Sequence, residues 1–120
     1  MKYLFNIKPL TVNKAYASHC RRYKSSEYKK YKKVLNKLFD PKFKLPSEKI
    51  YIKILFGFSS SLSDVDNPVK PLIDTLQEYY NFNDRNVFKL DLEKTIVKKG
   101  DEFIDLQILP YENRTDNNTL

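Results

Sequence analysis

The sequence predicts a single small α+β domain: a four-stranded mixed sheet with two main helices, in the order β-α-β-α-β-β. Three observations lead there. The chain has 120 residues, the length of one domain. Its hydrophobic residues (41%) and aromatics (14%) suffice for a small core. Its apolar pattern also switches repeatedly between a period of two and a period near 3.6.

The elements follow in order. Tyr3, Phe5 and Ile7 alternate with Leu4 and Asn6, a first strand ended by Pro9. Residues 11–24 lack clean periodicity and read as a long loop. A helix is expected from Ser25 or Ser26, either a fair N-cap, to about Phe39. Tyr28, Tyr31, Leu35 and Leu38 form its apolar stripe. Ile50, Ile52, Ile54, Phe56 and Phe58 then alternate through the clearest strand of the chain.

A second helix is expected after Asn67 as N-cap, with Pro68 at its first position. Val69, Leu72, Ile73, Leu76 and Tyr80 make its buried stripe. Pro71, one turn in, removes a donor and predicts a kinked start. Residues 81–86 are a polar turn. Phe88, Leu90 and Leu92 mark a third strand, Lys98-Lys99-Gly100-Asp101 a hairpin turn, and Ile104, Leu106 and Ile108 a fourth strand. The domain is expected to span residues 1–111. The Asn- and Thr-rich tail, 112–120, is expected to be disordered.

Composition excludes several functions. No run of eighteen apolar residues exists, and the first five residues lead straight into polar sequence, so neither a membrane span nor a secretory signal is expected. One cysteine, Cys20, allows no internal disulfide. One histidine, His19, allows no Cys/His zinc site. A cytoplasmic protein is the expectation. His19, without a partner in view, is expected in solvent, and Cys20 inert.

The net charge of +7 calls for a polyanionic partner, and its distribution says more. Residues 1–63 hold 15 Lys/Arg against 3 Asp/Glu, whereas residues 64–120 hold 7 against 12. The first half suits a phosphate backbone. The acids of the second half cluster around one motif and suit metal ions.

That motif is Asp64-Val65-Asp66-Asn67-Pro68-Val69-Lys70, followed by Asp74 and then Asn83-Asp84-Arg85-Asn86-Val87. Asp64 and Asp66 leave the clearest strand at alternate positions, so in extended chain both carboxylates point to one side. Such a pair repels itself unless a cation lies between or one member takes a proton. A strand-helix-strand unit is expected to return Asp84 to the same end of the sheet. Three carboxylates with Lys70 would equip metal-assisted phosphodiester hydrolysis. The plainer reading has equal standing on spacing alone: Asp-x-Asp-Asn before proline is also turn and cap chemistry, and Lys70 with Asp74 is an i,i+4 surface ion pair by default.

Asp64-Val65-Asp66-Asn67-x-x-Lys70-x-x-x-Asp74-x-Leu76, with Asn83-Asp84-x-Asn86-Val87 downstream, resembles the signature of the RusA family of Holliday junction resolvases, which are phage- and prophage-associated crossover junction endodeoxyribonucleases. Pro9-x-x-Val12-Asn13-Lys14-x-Tyr16 and the Tyr/Lys-rich helix after it resemble that family's N-terminal part, so the likeness covers residues 3 to 109. It implies that Asp64, Asp66 and Asp84 are metal-binding acids and Lys70 the essential lysine. Asn67 would position the acids, and Asp74 would serve as helix ion pair or outer support. It further implies Mg2+, with Mn2+ as substitute and no small-molecule cofactor. The expected partners are a second copy of the chain in a homodimer and branched DNA, a four-way junction, which is opened by paired symmetric nicks. The setting would be the cytoplasm of a bacterial or phage-infected host cell. Two departures stand out: Asn83-Asp84 replaces the family's usual Asp-Asp, and the turn Tyr80-Asn81-Phe82 lacks its usual glycine.

Arg21, Arg22, Lys24, Lys29, Lys30, Lys32, Lys33 and Lys37 crowd one loop and one helix with few acids interleaved. With Asn13 and Lys14, all of these but Lys32 are the candidate DNA contacts, which position a backbone without reading sequence. Two other readings compete. A non-catalytic basic nucleic-acid-binding accessory protein explains the charge but leaves the carboxylate spacing unexplained. An Asp-x-Asp phosphatase leaves the basic half unexplained.

Overall fold

The computed structural model describes residues 2–11, 16–17, 20–45 and 48–112, and of 16–17 and 20–24 the backbone alone. The elements are β1 (Lys2–Phe5), β2 (Tyr16–Ala17), β3 (Cys20–Lys24), α1 (Ser26–Leu38), β4 (Ile50–Phe58), α2 (Val69–Tyr80), a 3-10 turn (Asp84–Asn86), β5 (Val87–Ile96) and β6 (Phe103–Pro110). The expected α+β class is the one observed. The four-stranded sheet runs β1-β6-β4-β5, with β4 and β5 parallel and the other pairs antiparallel. Residues 16–17 and 20–24, expected as loop, instead form the short antiparallel ribbon β2–β3. Such a ribbon is held by backbone pairing, for which residues 11–24 give no apolar alternation. The tail from residue 113, with Asn13, Lys14 and His19, lies outside the described residues.

Both helices pack on one sheet face. Ile50, Ile52, Ile54, Phe56 and Phe58 of β4, Ile104, Leu106 and Ile108 of β6, and Phe5 of β1 are buried against Tyr28, Tyr31 and Leu35 of α1 and Leu72 and Leu76 of α2. Alternation drives this: every second residue of a strand faces one way, so five apolar residues on β4 supply one continuous floor. Ser25 caps α1 as expected, its side chain accepting from the Tyr28 N–H at 3.1 Å. Helix–helix packing is joined across the top by an ion pair between Lys32 and Glu78.

Three expectations need correction. Lys98–Asp101 does form a turn, with the Asp101 N–H donating to the Lys98 carbonyl at 2.9 Å and Gly100 at φ 100. It does not close a hairpin, because β6 passes β4 and inserts between β4 and β1. Ile104, Leu106 and Ile108 are wholly buried there, a central position that alternation alone does not distinguish from an edge one. Asn67 is not the cap of α2: Pro68 holds that place without a side-chain hydrogen bond. Pro71 is the third residue of α2, where an N–H has no acceptor within the helix, so the ring loses nothing and is buried.

Candidate active site

The acidic motif is built on the connection from β4 to α2. After Phe58 the chain turns at Ser59–Ser63, where the Ser63 N–H donates to the Ser60 carbonyl at 3.3 Å and the Leu62 N–H to Ser60 Oγ at 3.2 Å. Two charged side chains reach this turn from the sheet. Lys94 of β5 donates from Nζ to the Ser63 carbonyl at 2.6 Å and lies 3.5 Å from that of Ser61. Glu102, just before β6, accepts a hydrogen bond from the Ser59 side chain, which holds its carboxyl below the ordinary carboxylate range. The Gly100 N–H also donates to Glu102, at 2.8 Å.

Asp64 and Asp66 follow, both exposed; they do not leave β4 at alternate extended positions as expected, because the strand ends at Phe58 and residues 65–68 form a turn. Asn67 Nδ2 lies 3.5 Å from Asp64 Oδ2, and the Val69 N–H donates to the Asp66 carbonyl at 3.2 Å, opening α2. Asn67 thus lies at the edge of hydrogen-bond reach of Asp64, while the helix starts from the backbone of Asp66. Lys70 pairs with Asp74 one turn on, Nζ to Oδ2 3.1 Å. The i,i+4 ion pair is thus present, and it holds the lysine at the helix surface beside the acids.

Asp84 arrives by a separate route. Asn81 ends α2 in the left-handed conformation, φ 56 and ψ 61, which asparagine tolerates better than most residues and which supplies the chain reversal a glycine would give. Asn83 then caps the 3-10 turn, its Oδ1 accepting from the Arg85 N–H at 3.0 Å. Asn81 and Asn83 thus each serve a local backbone role, one in the chain reversal and one as a cap. Phe82 and Tyr79, half-buried, pack against the core beneath.

Asp66, Lys70, Asp74 and Asp84 line one cleft of about 520 Å3 between α2 and β5, whose apolar wall is Val69, Ile73, Val87, Leu90 and Leu92. Asp64 is not among its lining residues. The expectation that Asp84 returns to the same end of the sheet is not met. Val87 pairs with Ile50 at the start of β4, whereas the motif follows Phe58 at its end. A right-handed parallel crossover carries the chain back along the helix, so Asp66 and Asp84 flank opposite ends of α2, a helix of about 18 Å at 1.5 Å per residue. Among the described residues no three acids stand close enough to hold one metal ion together. Mg2+ takes one or two carboxylates with waters and phosphate oxygens, and Asp64 and Asp66 are two exposed carboxylates two residues apart.

The basic surface lies on α1, where Lys29, Lys30, Lys33 and Lys37 are exposed. Lys32 is engaged with Glu78. Tyr28 and Tyr31 are core residues, as their place in the apolar stripe predicts, and burial raises the Tyr31 hydroxyl pKa. The side chains of Arg21, Arg22 and Lys24 lie outside the described residues. Sequence reading missed two features of the site. The apolar wall of the cleft was visible only as strand and helix pattern. Lys94 is one charge in an alternating strand, and nothing in its neighbours marks its contact with a loop about thirty positions earlier. Among the described residues no helix is long and apolar enough to cross a membrane. Neither a family model nor a curated protein sequence matches the chain.

Proposed function

We propose that the protein is a metal-dependent endodeoxyribonuclease of RusA-like type that nicks branched DNA, a four-way junction, by hydrolysis of the phosphodiester. The observation that carries the reading is the cleft itself: Asp66 and Lys70 of the motif line it near the start of α2 and Asp84 near its far end, while Asp64, outside the lining, lies 3.5 Å from the Asn67 amide. The exposed lysines of α1 supply the complementary surface for DNA phosphates. Mg2+, or Mn2+ in its place, would supply an activated water and charge neutralisation at the phosphate. Asp64 and Asp66 would hold the ion. Lys70, released from Asp74 by a competing phosphate, would place its ammonium on the phosphate oxygens and stabilise the charge that builds there. Asp66→Asn removes a negative charge near phosphate, so it abolishes cleavage while junction binding is kept or improved. The compartment in this reading is the cytoplasm of a bacterial or phage-infected host cell.

The separation of Asp84 from Asp66 supports the homodimer in this proposal. β5 is an edge strand of ten residues with Phe88, Leu90 and Ile96 exposed, an edge that a lone protein would leave open to pairing. Two copies joined antiparallel along β5 about a two-fold axis would set Asp84 of each beside Asp66 of the other. Two sites related by that axis match two opposed strands of a junction. The test mixes two inactive variants. Asp66→Asn and Asp84→Asn each fail to nick a labelled junction in Mg2+. Their mixture recovers about a quarter of wild-type sites by random pairing, because one site of each mixed dimer has both acids. Inactive mixtures beside an active wild type overturn the shared site, and an inactive wild type overturns the nuclease.

One observation favours a second reading, a non-catalytic basic binding module: among the described residues no three acids form a metal group within one copy. That module would bind junctions without metal and leave them intact.

A further inference from the structure

We infer that Lys94 is a positioning residue for the loop that carries Asp64 and Asp66, holding it where the acids can take up the metal ion. The inference rests on the nuclease reading above for the identity of the ion. Its geometric basis is independent of that reading. The turn after β4 is bound mostly to itself, through Ser60. Its tip has no apolar anchor, since Leu62 is 91% exposed. Its first residue, Ser59, lies beside Glu102 on one surface. Lys94 fixes its end: the ammonium donates to the Ser63 carbonyl at 2.6 Å, one residue before Asp64, with the Ser61 carbonyl at 3.5 Å.

The position of Lys94 makes the contact directional. It stands on β5 opposite Phe56 in the parallel register, on the strand whose neighbours Leu90 and Leu92 wall the cleft. The sheet is the rigid partner and the serine turn the pliable one, so the bond sets the turn and not the strand. Groups that orient metal ligands in this way, without touching the metal, typically change affinity about 10–100-fold when removed. Lys94 is therefore distinct from Lys70, which faces the acids from α2 and is assigned to the phosphate.

Lys94→Met keeps the aliphatic stem and removes the ammonium; Lys94→Arg restores a cation. Three readouts on the full chain separate the possibilities. Amide hydrogen exchange without metal reports the hold on the loop, and Lys94→Met is expected to speed exchange at residues 61–66 while Tm stays within a few degrees. Mn2+ uptake without DNA, followed by electron paramagnetic resonance, is expected to weaken about tenfold in Lys94→Met and to return in Lys94→Arg. The Mg2+ concentration for half-maximal junction nicking should rise about as much, with the rate at saturating Mg2+ within about threefold of wild type. Equal exchange in Lys94→Met and wild type overturns the positioning role whether or not the chain is a nuclease. A hundredfold loss of rate at saturating metal with Mn2+ affinity intact also overturns it, because Lys94 would then act on the reacting phosphate. Wild-type protein that takes up no Mn2+ overturns the metal reading instead, and the exchange result still decides whether Lys94 holds the loop.

Discussion

Replacing Asp74 with asparagine separates the ion pair from the chemistry. In the structure Asp74 holds Lys70 at 3.1 Å across one helical turn, with the lysine side chain 61% exposed. A pair of that geometry in solvent is worth about 0.3–0.5 kcal/mol. Its loss should therefore lower Tm by about 2 °C in a domain of this size. The same magnitude governs function. A phosphate that recruits Lys70 must displace Asp74, and about 0.5 kcal/mol corresponds to roughly twofold in an equilibrium. Asp74→Asn should thus leave single-turnover nicking of a labelled junction within about threefold of wild type. Asp66→Asn should lose at least about 10²-fold, the scale for removing a group that stabilises transition-state charge. The assay is single-turnover cleavage at saturating Mg2+ for the three proteins, beside thermal melts. A hundredfold loss in Asp74→Asn with unchanged Tm refutes the reasoning, since Asp74 would then belong with the ligands.

Other outcomes follow from the same geometry. Changing Lys29, Lys33 and Lys37 singly to glutamine should each lower the salt dependence of junction binding by about 0.9 in the log–log slope if each meets a phosphate, and fluorescence anisotropy across a salt series checks it. Lys32, tied to Glu78, should change that slope less. Gly57→Ala places a Cβ 2.4 Å from two ring carbons of Phe103, its neighbour in register on β6. The ring must move, at about 1–3 kcal/mol, and a double-mutant cycle with Phe103→Ala in urea should show that cost largely relieved. Glu102 has its pKa lowered on folding by the Ser59 hydroxyl, so its contribution to stability is present above the ordinary carboxylate range and is lost as pH falls through the folded value. Glu102→Gln should therefore be less stable than wild type near neutrality, with the gap closing in acid, as read by denaturant titration at several pH values.

What the sequence could and could not reveal follows from the range of each interaction. Ser25, the α1 stripe and the β4 alternation are local, and local chemistry decides them. α1 accordingly begins one residue after its cap, and β4 covers the whole apolar run. The place of β6 between β4 and β1 is a choice among neighbours that look alike from within the strand. Asp84 shows the same limit at the site. Its distance from Asp66 depends on which end of β4 the crossover reaches, a property of the parallel pairing of Val87 with Ile50. The pair of Lys70 with Asp74, four residues apart, was legible from spacing, whereas spacing reads Asn67 as a helix cap and not as a neighbour of Asp64. Lys94 was not legible, because a lysine that serves a loop on another element carries no mark in its own segment.

The most direct measurement is incubation of wild-type protein and Asp66→Asn with an end-labelled four-way junction, in Mg2+ and in chelator, followed by ligation of the products. The account predicts paired symmetric nicks, sealed by ligase, from the wild type in Mg2+ alone, with Asp66→Asn binding the junction but leaving it whole. Tight binding by the wild type with no nicks in Mg2+ or Mn2+, or cleavage that persists in Asp66→Asn, would contradict it.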